Sequence, residues 1–180
     1  MAEADEEVVV RLATAADVEW ADRAAALIDE ASHDFDIARR EVGFLRDKIE
    51  HAKAVLGTVG DRLVAFGYWS DWEGGRFVSH SGLVVSPEFR GQGLGRRLKL
   101  ALFESSRRRF PEACLMSLTS SAEVKALNRS LGFRVVPIDE LTSDPAFWKG
   151  CETCRNYDAV RARGERCCCE AMLLRPDSAR

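Results

Sequence analysis

Hydrophobic positions along the chain recur with two periods, and each change of period marks a new element. Residues 8–12 are a short apolar run that reads as a strand. Thr14 followed three residues later by Asp17 has the form of an amino-terminal cap, predicting a helix that reaches Ile28 or Ala31. Phe44, Leu45, Ile49 and Ala52 lie at helical spacing, so a second helix is expected over 41–53, after a polar loop or short helix. The runs "AVLGTV", "LVAFGYWSDW" and "RFVSHSGLVV" are separated by Gly60-Asp61-Arg62 and by Glu73-Gly74-Gly75, which predicts three strands in an antiparallel meander. After Pro87 the period returns to that of a helix, carried by Leu94, Leu98, Leu102 and Phe103 and ending before Pro111.

The remainder alternates again. "ACLMSLTS" reads as a buried strand, 121–131 as a helix stopped by Gly132, and 133–136 as a strand. The last strand is expected over 167–174, after a connection, 137–166, whose length marks it as functional or independently braced. Strands and helices interleave without an internal repeat, so one domain of the α/β (α+β) class is expected over 8–176, with 137–169 as an insertion and 1–7 disordered.

Composition narrows the classes of function. With 46% hydrophobic residues in 180, the chain can bury a substantial core. Twenty-six basic against 29 acidic residues give a net charge of −3, which supplies no overall attraction to nucleic acid or to an anionic membrane. No apolar run reaches the ~20 residues needed to span a bilayer, and the acidic start "MAEADEEVVV" is unlike a secretory signal. A cytoplasmic protein with no nucleic-acid or membrane partner is expected. Its thiols would be reduced, which turns attention to the cysteines as metal or redox groups.

The segment most informative about chemistry is "GLVVSPEFRGQGLGRRLKLALFE". Arg90-Gly91-Gln92-Gly93-Leu94-Gly95 joins a strand to a helix, and its glycines let backbone N–H groups converge where the helix dipole attracts phosphate. A dinucleotide fold would place a parallel βαβ unit early in the chain, and here a meander precedes the turn. The turn lacks the Gly-Lys-Ser/Thr ending of a nucleotide P-loop.

With Arg90, Gly93 and Gly95 in place, and Leu83-Val84-Val85 and Ser86-Pro87 before them, the segment resembles the acyl-coenzyme A signature of the GCN5-related N-acetyltransferases (GNAT). The element order and the "LGF" at Leu131-Gly132-Phe133 agree with that family. The resemblance implies a mixed, largely antiparallel sheet of about seven strands flanked by about four helices, with a long insertion before the last strand. It implies that Leu83, Val84 and Val85 contact pantetheine and that amides from Gly91 to Arg96, Gln92 and Leu94 included, hold the pyrophosphate. Leu83 and Val85 are equally core side chains, and Arg96 equally a solvated one.

Acyl transfer from acetyl-CoA, or another short acyl-CoA, requires a neutral amine, while amines titrate at about 8 to 10.4, so a base or a water relay is needed. The resemblance directs attention to Ser79, where such families often carry glutamate, with His80 beside it as first candidate base; a structural histidine is the competing reading, and Glu73, Asp71 and Glu41 are weaker candidates. The family's usual acid, a tyrosine, is replaced by Asn128, which can only hydrogen-bond the thiol or pantetheine. Arg39 and Arg40, between the first two helices, are candidates to hold a carboxylate of the acceptor, or are simply solvated. The whole chain, with its "FWKGC" and cysteine-rich end, resembles a bacterial subgroup linked to acylation of amino acids, glutamate among them. A non-catalytic acyl-CoA-binding or sensing protein is the alternative. Small amine acceptors, and a second copy of the chain, are the expected partners.

Five of the six cysteines fall within "CETCRNYDAVRARGERCCC". Cys151 and Cys154 form a CxxC knuckle, and on a strand beginning at Cys167 the side chains of Cys167 and Cys169 would share one face, with Cys168 on the other. Cys151, Cys154, Cys167 and Cys169 thus offer four thiolates, enough for a closed structural zinc site; reduced packed thiols, a redox disulfide and iron–sulfur ligation are the other readings. Cys168 and Cys114 are expected in the core. Tyr157 and Asp158 either orient a ligand or are exposed loop residues.

Overall fold

The computed structural model describes residues 7–176. The expected disorder over 1–7 therefore falls outside the described residues except at Glu7. Seven strands form one sheet in the order β1-β2-β3-β4-β5-β7-β6: β1 (Val9–Leu12), β2 (Ala54–Val59), β3 (Arg62–Trp72), β4 (Phe77–Val85), β5 (Cys114–Thr119), β6 (Arg134–Val136) and β7 (Glu170–Leu174). All neighbours are antiparallel except β4 and β5. Four helices flank the sheet, α1 (Ala21–Ser32), α2 (Val42–Glu50), α3 (Leu94–Arg109) and α4 (Ala122–Ser130), and the insertion adds two short ones, α5 (Pro145–Lys149) and α6 (Tyr157–Ala162).

The cap read at Thr14 and Asp17 introduces a six-residue 3-10 turn, Ala15–Trp20, before α1 itself. The Asp17 carboxylate accepts from the Thr14 backbone N–H at 2.8 Å and from both terminal guanidinium nitrogens of Arg11 at 2.8 and 2.6 Å, which ties β1 to the turn. Leu27, Ile28, Leu45 and Ile49 pack from α1 and α2 onto Leu56, Phe66 and Tyr68 on one face of the sheet. Leu94, Leu98 and Leu102 pack from α3 onto Val55, Trp69 and Val78 on the other.

The central strand pair is interrupted by a bulge. Phe66 lies opposite Val84, but Tyr68 lies opposite Ser81, so Gly82 and Leu83 together face Gly67. Gly82 has φ +63, and a Cβ there would stand 2.5 Å from the Tyr68 ring, so both its backbone and its missing side chain are required. The extra residue reverses the alternation of β4: Val78 packs toward α3 before it, and Leu83 and Val85 do so after it.

Candidate active site

The first cavity opens where β4 and β5 part. They pair from Phe77↔Cys114 only as far as Ser79↔Met116, and beyond that register the flank of β4 that would face β5 has no strand partner. The gap is a cavity of about 640 Å³ walled by Gly82, Leu83, Val84 and Val85, by Arg90, Gly91, Gly93, Leu94 and Gly95, and by Val124 and Leu127 of α4. Gly93 caps α3 in the left-handed region, φ +77, and no atom lies within 4 Å of a Cβ position at Gly91, Gly93 or Gly95. The amides of the first turn of this 16-residue helix thus face open space with the positive end of its dipole behind them, which suits a pyrophosphate. Arg90 is fixed by donating from Nε to the Val85 carbonyl at 2.9 Å and by stacking over Phe35. Gln92 and Arg96 are exposed and lie off the cavity wall.

Two buried basic side chains also line this cleft. His80 is 6% exposed, with Nε2 2.9 Å from the Ser106 hydroxyl. That hydroxyl donates to the Phe103 carbonyl, which leaves Nε2 as the donor to Ser106 and Nδ1 as a bare, unpartnered lone pair. Burial, with Lys99 and Arg107 nearby, drives the imidazole pKa well below its usual value. Lys99, 2% exposed, lies over the Phe133 ring, and burial lowers its amine to about 7. Asn128 is fully buried, donates from Nδ2 to the Met172 sulfur at 3.5 Å, and leaves Oδ1 without a partner; it lies off the cleft wall.

A second cavity, about 800 Å³, lies on the α1–α2 face. Its floor is Tyr68, Ser70, Trp72, Ser79 and Ser81; Arg39, Arg40, Glu41 and Phe44 form one side, and Phe147, Lys149, Gly150 and Thr153 of the insertion form another. Ser81, beside the bulge, belongs to the walls of both cavities. Ser79 accepts from Trp72 Nε1 at 2.9 Å. Arg40 donates from Nε to the Tyr68 phenol and from Nη1 to the Gly150 carbonyl, both at 2.7 Å, while Arg39 lies 3.7 Å from Asp29. Burial raises the Tyr68 pKa, so the phenol stays protonated. Asp71 is engaged by Lys53 and Glu73 by Thr142 and Ser143, away from both walls. Tyr157 and Asp158 begin α6 and also lie off both walls.

The sequence pattern did not single out Tyr68, Ser81 or Lys99. Tyr68 and Ser81 are hidden in strands whose alternation looks regular until Gly82 is recognised as an inserted residue. Lys99 had one signal: it is the lysine within the apolar stripe of α3, next to Leu98 and three residues before Leu102.

The cysteines gather, but not by strand alternation. β7 starts at Glu170, three residues later than expected, so the "CCC" run is a bend and not a pleated strand. The sulfurs of Cys167, Cys168 and Cys169 all lie within 4.8 Å of one another. Cys151 hydrogen-bonds to Cys167, which is the acceptor of the group, its thiol pulled down by Cys151 and Cys169 while theirs are pushed up. Cys154 lies close enough to Cys168 and Cys167 to feel their charge. Cys168, expected in the core, is exposed, with the Asn156 side-chain amide 3.2 Å from its sulfur, because the bend turns it outward. Cys114 packs beside Phe77 and Met116 at the edge of the core.

A family model for the acetyltransferase (GNAT) domain matches residues 39–135, more than half of the 180. The chain belongs to the GNAT acetyltransferase family. No curated protein matches it by sequence. Among solved structures it is similar to N-acetylglutamate synthase from Neisseria gonorrhoeae complexed with coenzyme A and N-acetyl-glutamate, with TM-score 0.67 and 20% identity over 94% of this chain and 35% of that one. It is similar also to Rv2747 from Mycobacterium tuberculosis in complex with CoA, TM-score 0.63 and 17% identity over 93% and 98% of the two chains. A GNAT superfamily phosphinothricin acetyltransferase from Sinorhizobium meliloti in complex with AcCoA gives TM-score 0.57 and 20% identity over 72% and 76%. This chain spans about a third of the gonococcal synthase. At these identities the likeness is one of fold, and the seven-stranded sheet with a parted β4–β5 pair is the GNAT fold expected from sequence. No helix among the described residues is long and apolar enough to cross a membrane.

Proposed function

We propose that this GNAT protein transfers an acetyl or other short acyl group from acyl-CoA to the amine of a small carboxylate-bearing acceptor, an amino acid such as glutamate, by direct attack. The observation that carries the reading is the meeting of two cavities at Ser81, one framed by a parted strand pair and the open start of α3, the other rimmed by Arg39, Arg40 and Lys149. The solved structure of the gonococcal synthase, complexed with N-acetyl-glutamate, supports glutamate as the first acceptor to test.

In this reading Leu83, Val84 and Val85 hold pantetheine, and Arg90 with the amides from Gly91 to Arg96 holds the pyrophosphate. Backbone N–H groups of β4 beside the gap stabilise the oxyanion. His80 is the candidate base where β4 and β5 part; because its burial disfavours the imidazolium, the acceptor amine reaches the site already neutral and Nδ1 takes its proton only in passing to water, with Ser79 and Ser81 orienting the acceptor from the opposite face. The leaving thiolate, with a solution pKa near 8.5, needs little assistance, and Lys99 on the same wall is a proton source of comparable strength. Asn128 remains a buried neighbour. The reading also takes the protein to be cytoplasmic, with zinc at Cys151, Cys154, Cys167 and Cys169 and self-association as a homodimer.

The test is an acceptor screen with acetyl-CoA and succinyl-CoA against amino acids, read by mass spectrometry of the products and accompanied by calorimetry of acyl-CoA binding. Formation of an N-acyl amino acid supports the proposal. Tight acyl-CoA binding with no product from any acceptor favours the sensing alternative, and absence of acyl-CoA binding removes both.

A further inference from the structure

The insertion that walls the acceptor cavity is anchored to the core mainly at its start, where Phe147 and Trp148 pack against Trp72 and the cluster around Phe77 and Met116. Between Ser143 and Glu170 the one fully buried side chain is Val160, and α5 and α6 are helices of five and six residues, too short to persist by themselves. Beyond that start, the polar contacts of residues 150–156 with the rest of the domain converge on a single stretch of chain, residues 33–40, the connection between α1 and α2. The Gly150 carbonyl accepts from Arg40, Thr153 donates to the Arg39 carbonyl at 2.8 Å, and Arg155 donates to Asp36 and to the His33 carbonyl, each at 2.9 Å. Gly150, Thr153 and Arg155 each adjoin a cysteine of the CxxC knuckle. The opposing thiols, Cys167 to Cys169, immediately precede β7, which is fixed in the sheet between β5 and β6.

We infer that the cysteine cluster is a zinc joint that fastens the insertion to the sheet and thereby holds residues 33–40 in place, so that metal occupancy governs the Arg39–Arg40 side of the acceptor cavity first and, through Asp34 to Ile37, the outer wall of the acyl-CoA cleft second. Cys151 and Cys154 come from the insertion; of the three bend thiols, whose sulfurs lie within 4.8 Å of one another, the partly buried Cys167 and Cys169 supply the other two ligands, with exposed Cys168 near enough to Cys154 to replace one of them. The amides of 91–96 and the strand segment 83–85 are carried by α3 and the sheet, while Asp34 to Ile37 and Arg155 add a wall to the same cleft and reach it through Phe35, over which Arg90 stacks. The acceptor half of this inference rests on the proposed acyl transfer; the metal and its structural consequence do not.

Metal content of the purified full chain, by mass spectrometry of the elements, should give about one zinc per chain, lost in Cys154→Ser and Cys167→Ser and kept in Cys114→Ser. Stripping the metal from unmutated protein and restoring it guards against variants that fail to fold. Stripping should speed hydrogen exchange over 33–40 and 143–166, leave 83–96 unchanged, and reverse on adding zinc. If acyl transfer is observed, the acceptor KM should rise roughly tenfold on stripping, the scale seen when groups supporting a site are lost, and acyl-CoA affinity should fall by less. Protein that carries no zinc, that carries iron, or whose 33–40 exchange is indifferent to the metal overturns the inference. Failure of the acceptor screen alongside the expected zinc and exchange results would count against the transferase reading only.

Discussion

Lys99 shows how a single buried side chain writes a pH dependence into the whole protein. Its amine titrates at about 7 in the folded state against about 10.4 when free, so between those values the unfolded chain binds the extra proton and stability rises with pH. Below pH 7 the folded protein carries the full cost of a buried ammonium. Lys99→Met is therefore expected to raise stability by about 2 kcal/mol near pH 6.5, the scale reported for replacing buried charges by apolar groups, and the gain should shrink toward zero by about pH 10. Thermal melts of the ligand-free protein at the two pH values check this; a gain that is the same at both would show that the amine is not the cause. Gly82 makes the contrasting case, in which geometry rather than charge decides. Gly82→Ala places a methyl group against the Tyr68 ring on a backbone of positive φ, and a loss of roughly 1–3 kcal/mol by urea denaturation is expected.

At the scale of elements, the turn between β1 and α1 depends on Asp17. Its carboxylate is held far below the usual range, first by Arg11 and then by Thr14, so its contribution is complete above about pH 4 and is lost as pH falls toward the folded value. Asp17→Asn should cost about 1–2 kcal/mol from pH 7 down to about 4, with the gap to the unmodified protein narrowing below that. The elements that sequence pattern predicted well are of two kinds: β2 to β4, buried on both faces and so written as continuous apolar runs between turn residues, and α3 and α4, whose single buried face imprints the helical period. The expected sheet and its flanking helices follow from that. The insertion escaped because its helices bury almost nothing, leaving no period to read. The start of β7 escaped for a different reason: three cysteines in a row are as apolar as a strand, but the partner strand β5 ends at Thr119, opposite Glu170, and without a partner the chain bends. The glycine turn before α3 was legible because its conformation demands particular residues. His80 and Ser79 were legible as neighbours but not as opposites, since only the paired strands show which face each takes.

Across the whole molecule the sheet acts as a partition. The cleft proposed for acyl-CoA is bounded by α3 and α4 with Asp34 to Ile37 and Arg155, the cavity proposed for the acceptor by α1, α2 and the insertion, and the two share Ser81 at the bulge. No cysteine is among the residues lining either cavity, and Cys151, which lies behind Gly150 within reach of Arg40 and Tyr68, is engaged by Cys167. The proposed direct attack follows from that absence: with no thiol in either wall on which an acyl group could wait, both substrates would be present together at the parting of β4 and β5. Steady-state kinetics with the acceptor identified by the screen should give intersecting, sequential double-reciprocal lines. Parallel lines, or an acyl-protein species trapped by mass spectrometry in the absence of acceptor, would rule out direct attack and turn attention to Lys99, the neutralised amine in the acyl-CoA wall, as the resting place of the group.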